Sequence, residues 1–285
     1  MKKVTIALAT ALILAACGHH KHRDNQPAPT QRPTATATNR PTATATATSQ
    51  PTATAQPSVS PTVVPRTPST DANNYGGQAL VANAKGAATG LSSQAVSGSR
   101  TQLKVGGKTI DLTLPNISAG ETTNLNGANI NGKIYKRFAI SGRNYQNSVF
   151  GYINDGDKDY IFSQGNVTKD MPTSGKAEYD GSALISKAGG DIARADADFN
   201  VDFASKVLNG VIAKDNGRAA SNFDFNPINI KANISGSSFT SDGSTPAQVQ
   251  GNFYGDNARE LGGLVQDASQ QIGGSFGAVK EEAKK

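Results

Sequence analysis

The stretch Pro246-Ala-Gln-Val-Gln-Gly-Asn-Phe-Tyr-Gly-Asp-Asn-Ala-Arg-Glu-Leu-Gly-Gly263 decides how the chain folds. Val249, Gly251 and Phe253 alternate with Gln248, Gln250 and Asn252, the period of a strand with one dry and one wet face. Gly255-Asp256 breaks that period. Asn257 to Leu261 then has room for about one helical turn, with Asp256 or Asn257 accepting from its free N–H groups. Gly262-Gly263 would supply the positive φ needed to leave it.

The same period recurs outward from this stretch. Ala193, Ala195, Ala197, Phe199, Val201 and Phe203 share one face against Arg194, Asp196, Asp198, Asn200 and Asp202. Ile228, Ile230, Ala232 and Ile234 repeat it, as do Ile272, Gly274, Phe276 and Ala278. Many one-sided strands in succession leave edges that closure into a barrel removes. On pattern alone a β-sandwich is the alternative. The small inward residues suit a narrow barrel filled by side chains, and the outer face is too polar to meet lipid.

Upstream, Leu103–Val105 and Lys108–Leu114 flank Gly106-Gly107, a two-residue turn of the primed type. Tyr135–Ile140 and Asn144–Ile153 flank Ser141-Gly142, and Tyr152-Ile153 and Tyr160–Phe162 flank Asn154–Asp159. A small antiparallel sheet is expected. Residues 76–100 show no period, and Pro115–Gly132 reads as a long polar loop of the kind that carries binding function. Asp155, Asp157 and Asp159 have the spacing of a calcium loop, but Tyr160 stands where glycine is required, so a solvated hairpin tip is the expectation.

The motif Gly251-x-Phe253-Tyr254-Gly255-x-x-Ala-x-Glu260-Leu261-Gly262-Gly263 resembles the terminal signature of the surface lipoproteins typified by transferrin-binding protein B, the heparin-binding antigen and haemophilin. Met171–Gly181, Ala197–Phe203 and Gly274–Gly277 look similar to the same family, in the family's order. The resemblance implies an all-β chain: a small antiparallel handle domain over 76–170, then an eight-stranded antiparallel barrel over 171–285. It also implies surface exposure and export by a Slam-type translocon.

The amino-terminal part has another character. Met1-Lys2-Lys3, an apolar run of 13 residues from Val4 to Ala16, and small residues before Cys17 read as a lipoprotein signal peptide over 1–16. Cys17, the only cysteine, is the expected diacylglycerol site and outer-membrane lipid anchor, with the protein facing the cell exterior. From Gln26 to about Thr70 the chain repeats Pro-Thr-Ala-Thr with minor variation and bears too little apolar surface to order itself, so a disordered tether is expected over 17–75. Thr- and Pro-rich tracts of this kind also serve as O-glycosylated stalks. His19, His20 and His22, the only histidines, read as a polar membrane-proximal segment rather than a metal site.

Of the 28 Lys and Arg and 22 Asp and Glu, residues 76–285 hold 21 and 20, so the folded part is nearly neutral and nucleic acid is not an expected partner. With no histidine after His22, no second cysteine, no Gly-x-Ser-x-Gly and no phosphate loop, the expectation is no enzyme. Glu178/Asp180 and Asp196/Asp198 are expected on the solvent face. The expected function is binding of a host macromolecule or host nutrient carrier, with no cofactor. Two alternatives stand beside it: a haem-capturing protein similar to haemophilin, and a host-tissue colonisation factor. Haem would need Tyr135, Tyr145, Tyr152, Tyr160 or Met171 as a donor. A protein ligand needs aromatic and arginine anchors on loops, and Asn116, Tyr135, Arg143 and Tyr145 are the candidates.

Overall fold

A computed structural model describes residues 74–83, 93–114, 117, 120–187, 191–215 and 223–282. Residues 17–73 of the expected tether, Cys17 included, and Asn116 lie outside the described residues, while Tyr75, counted with the tether, opens the first strand.

Eight strands make the first sheet: β1 (Tyr75–Asn83), β2 (Ser93–Ser99), β3 (Gln102–Val105), β4 (Lys108–Asp111), β5 (Thr122–Ile130), β6 (Lys133–Ser141), β7 (Ser148–Asn154) and β8 (Lys158–Asn166). Their order is β4-β3-β2-β1-β8-β7-β6-β5, so β4 and β5 are edges. The sheet curls until residues from both ends share one core, with Leu103, Val105 and Ile110 in the same cluster as Ala128, Ile130 and Tyr135. Among the described residues no ladder joins the edges; the Asn131 amide reaches across to the Asp111 carboxylate. The result is an open half-barrel.

Eight more strands close on themselves: β9 (Lys176–Lys187), β10 (Ile192–Asp202), β11 (Val207–Lys214), β12 (Ile228–Ser235), β13 (Ser238–Ser241), β14 (Gln248–Tyr254), β15 (Glu260–Asp267) and β16 (Ile272–Lys280). Closure is made by β9, which pairs with both β10 and β16. β10 and β12 keep the strict alternation that their sequences predict. The interior is filled: Phe199 stacks on Phe276 at 5.1 Å and Phe239 meets Phe253 edge-on at 5.6 Å. Alanines facing these rings leave them room.

Several expectations need correction. The segment read as a loop from Pro115 to Gly132 contains β5, whose polar Thr-Thr-Asn-Leu-Asn-Gly-Ala-Asn-Ile buries only Ala128 and Ile130. An edge strand on a curled sheet has little to bury, so its period is faint. Residues 76–100 supply β1 and β2. The strand expected from Asn144 starts at Ser148, leaving Gly142–Asn147 as a connection. No helical turn follows Gly255; Asn257 and Ala258 both take left-handed φ, 54° and 53°, and Glu260 already opens β15. Gly262 and Gly263 are extended strand residues valued for the space they leave: a Cβ on Gly262 would lie 2.9 Å from Ser163 Oγ, and one on Gly263 2.4 Å from the Gln250 carbonyl oxygen.

Handle and barrel belong to one compact unit. β7, β8 and β15 are buried along their whole length, save the exposed tip of β8, because each has one face on its own core and the other on the neighbouring sheet. A separate cluster of Leu80, Ala139, Tyr145, Phe150, Tyr152, Ile161, Leu184, Ile192 and Leu264 fills the seam.

Candidate functional site

The signature motif lies in this seam, and its residues hold the two sheets together. Glu260 is 1 % exposed, and its carboxylate accepts four bonds from the start of β7 and the connection before it. Oε1 takes the Gln146 N–H at 2.8 Å, the Asn147 N–H at 3.0 Å and Asn147 Nδ2 at 3.0 Å, and Oε2 takes the Ser148 hydroxyl at 2.7 Å. All four are donors, which suits a group that offers acceptors. A carboxylate out of water is costly unless so satisfied.

Tyr254 is buried against Ser163, its hydroxyl 3.4 Å from Ser163 Oγ, and burial pushes its phenol up to about 12. Gly255 donates its N–H to the Asn166 carbonyl at 2.7 Å and accepts from the Thr168 hydroxyl at 2.7 Å. Phe253 points the other way, into the barrel core with Leu261. Ser275 Oγ adds a bond to the Gly151 carbonyl at 3.0 Å. Gly277 admits the Phe150 ring, which would stand 2.6 Å from a Cβ there. Gly251, Phe253, Tyr254, Gly255, Glu260, Leu261, Gly262 and Gly263 therefore split between core and seam.

The backbone of the connection Gly142–Asn147 is pinned at both ends, while the Arg143, Asn144 and Gln146 side chains are exposed. The Gly142 N–H bonds the Glu121 carbonyl at 2.6 Å, and the Asn144 N–H bonds the Gly120 carbonyl at 2.8 Å. Glu121 in turn pairs with Arg194 of β10, and Arg194 Nε lies 3.5 Å from the Asp215 carboxylate. Arg100 donates to the Tyr145 carbonyl at 2.6 Å. Arg143 projects to solvent at the edge of a cleft of about 600 Å³. Glu121, Asp180, Asp196 and Glu281 make that cleft acidic. Asp198, directly opposite Asp180 across the strands, has its carboxyl raised by burial and then by Asp180 and Glu281.

Of the three candidate anchors among the described residues, Tyr135, Arg143 and Tyr145, only Arg143 is exposed. Tyr145 is 1 % exposed, packs edge-on against Phe150 at 5.0 Å, and burial pushes its phenol up to about 12. Tyr135 is in the handle core beside Phe138. A hydrophobic residue in a hairpin reads alike whether it lines a core or tops a loop, which is why the sequence misplaced both. Tyr152 and Tyr160 are buried as well, bonded to Asp159 and to Asp155 and Lys108. At the hairpin tip, Asp155 turns toward Lys108 while Asp159 turns toward Tyr152 and Asn154, so the two carboxylates do not converge. Among the described residues no group of three His, Cys, Asp or Glu is placed to hold a metal ion. Sequence reasoning missed Glu121, Asp180 and Glu281 as a cleft; their signal, carboxylates on wet faces, is shared with any soluble strand.

Residues 171–280 match the family described as the C-lobe and N-lobe beta barrels of Tf-binding protein B. The barrel is of the transferrin-binding protein B type. Transferrin-binding protein B of Moraxella catarrhalis is 30% identical over 191 residues, covering 55% of this chain and 26% of that one. A Haemophilus influenzae protein is 31% identical over 140 residues, covering 45% of each chain. Among solved structures, intact Ap-TbpB with its N and C lobes superposes with a TM-score of 0.52 at 25% identity, over 73% of this chain and 46% of that one. The isotype 1 transferrin-binding protein B of Neisseria meningitidis gives 0.52 at 19% identity over 72% and 43%, which speaks to the fold. This chain spans less than half the length of each of these relatives. Those with descriptive names are named for binding, not for catalysis.

Proposed function

We propose that this protein is a surface-exposed outer-membrane lipoprotein that binds a host macromolecule or nutrient carrier of the transferrin type. In this reading Cys17 carries the lipid, a Slam-type translocon exports the chain, and the tether lifts the folded part away from the membrane. The observation that carries it is the transferrin-binding protein B-type barrel over 171–280, preceded by a handle sheet in the same compact unit.

The partner docks on the Gly142–Asn147 connection and the cleft beside it. Arg143 is the exposed anchor there, held on a rigid scaffold, and arginine is among the residues that dominate protein interfaces. The carboxylates of the cleft offer a second, acidic patch to a partner that presents both charges. The chain from Gly18 onward, immobilised and washed with host serum, is expected to retain a saturable host protein. Arg143→Ala should weaken that capture by about 1 to 3 kcal/mol. No retained protein would overturn the reading; unchanged affinity would move the site to the barrel connection over 242–247. Cys17→Ser should release the protein from the membrane fraction, and unchanged palmitate labelling in that variant would contradict the anchor.

A further inference from the structure

We infer that Glu260 is a positioning residue which sets, from the barrel, the shape of the handle connection that bears Arg143. The inference rests on the docking site proposed above for its functional meaning, but its structural content stands separately. Glu260 fixes the end of the connection through the Gln146 and Asn147 N–H groups and the Asn147 and Ser148 side chains. The beginning is fixed by a second barrel residue acting at one remove: Arg194 pairs with Glu121, whose carbonyl accepts the Gly142 N–H. Between these two clamps the Arg143 side chain is left to solvent. A loop with its backbone bonds made in advance loses less entropy when a partner settles on it.

Carboxylate geometry explains why a glutamate serves here. Two adjacent backbone N–H groups converge on one oxygen while a hydroxyl takes the other, so one side chain satisfies three residues in a row. Alanine would take the acceptor from those part-buried N–H groups. Glutamine keeps an acceptor oxygen for the two N–H groups and can donate from its amide to the Ser148 hydroxyl, which also accepts.

Hydrogen exchange of the lipid-free chain tests this without any partner. Glu260→Ala should speed exchange at Gln146 and Asn147 at least tenfold, while Gly142 and Asn144, held by the other clamp, and the β10 to β12 amides hold their rates. Glu260→Gln should restore most of the protection. Should Glu260→Ala not fold, Ser148→Ala and Asn147→Ala remove partners of both oxygens from the handle side and carry the same expectation on a smaller scale. Unchanged loop protection, or a uniform rise across the whole domain that Glu260→Gln fails to reverse, would overturn the inference. The serum-capture experiment reads separately. If loop protection collapses in Glu260→Ala yet wild-type protein retains nothing from serum, the positioning role stands and the docking reading falls. If capture occurs and Glu260→Ala retains as much as wild type, the loop is not the docking element.

Discussion

Two eight-stranded antiparallel sheets lie side by side in this molecule, and only one of them closes. The barrel joins β9 to β10 and β16, so every strand has two neighbours. The handle stops at β4 and β5, its edges linked by the contact between Asp111 and Asn131. What the half-barrel lacks in closure it gains by docking: β7 and β8 are dry on both faces because the barrel covers the second one. The difference teaches that the handle is stabilised as a partner of the barrel, and that the family signature is the means of partnering.

If that contrast is right, the largest single-residue effect belongs to the closed core. Phe276→Ala removes a ring that stacks on Phe199 inside a filled barrel, and should cost about 3 to 5 kcal/mol in chemical denaturation. Gly277→Ala, one residue along on the opposite face, should cost about 1 to 3 kcal/mol by overpacking Phe150 across the seam. Should Gly277→Ala be neutral, the seam is softer than the barrel and the comparison loses its point.

A pH titration sharpens the handle side. Burial alone would raise the Asp155 carboxyl, but Lys108 and the N–H groups of Lys158 and Asp157 outweigh it and hold the group at about 2. A carboxyl depressed on folding contributes stability above its unfolded value, near 3.8, and that contribution fades as pH falls toward 2. Asp155→Asn should therefore cost about 1.5 kcal/mol at pH 5 and almost nothing at pH 2. A gap that persists at pH 2 would show that Asp155 acts through packing instead. The smallest effect is expected on the barrel's wet face, where Asp198 and Asp180 oppose each other. Asp198→Asn should leave the unfolding free energy unchanged or raise it by less than about 0.5 kcal/mol.

How much of this could be read from the sequence follows the same divide. Where one face is wet, as on β10 and β12, alternation gave strand, face and core residue by residue. Where both faces are dry, as on β7 and β8, the alternation carries no information about which side is which. Tyr135 on β6 and Tyr145 in the connection before β7 could be taken for surface anchors because a tyrosine in a hairpin reads alike in core and on loop, although both are buried. β5 escaped for the opposite reason, since its edge position leaves it polar. The signature stretch pointed to the correct family, but its physical role was not legible: Glu260 follows a turn and precedes two glycines, and only the approach of Ser148 from a strand more than a hundred residues earlier explains it. Long-range contacts of this kind have no local period to betray them.

Calorimetry of the lipid-free chain tests most directly whether the signature makes handle and barrel one unit. The predicted result is a single unfolding transition whose calorimetric and van't Hoff enthalpies agree, with Glu260→Ala splitting or broadening it. Two separate transitions in the wild-type protein, the handle melting before the barrel, would contradict the account.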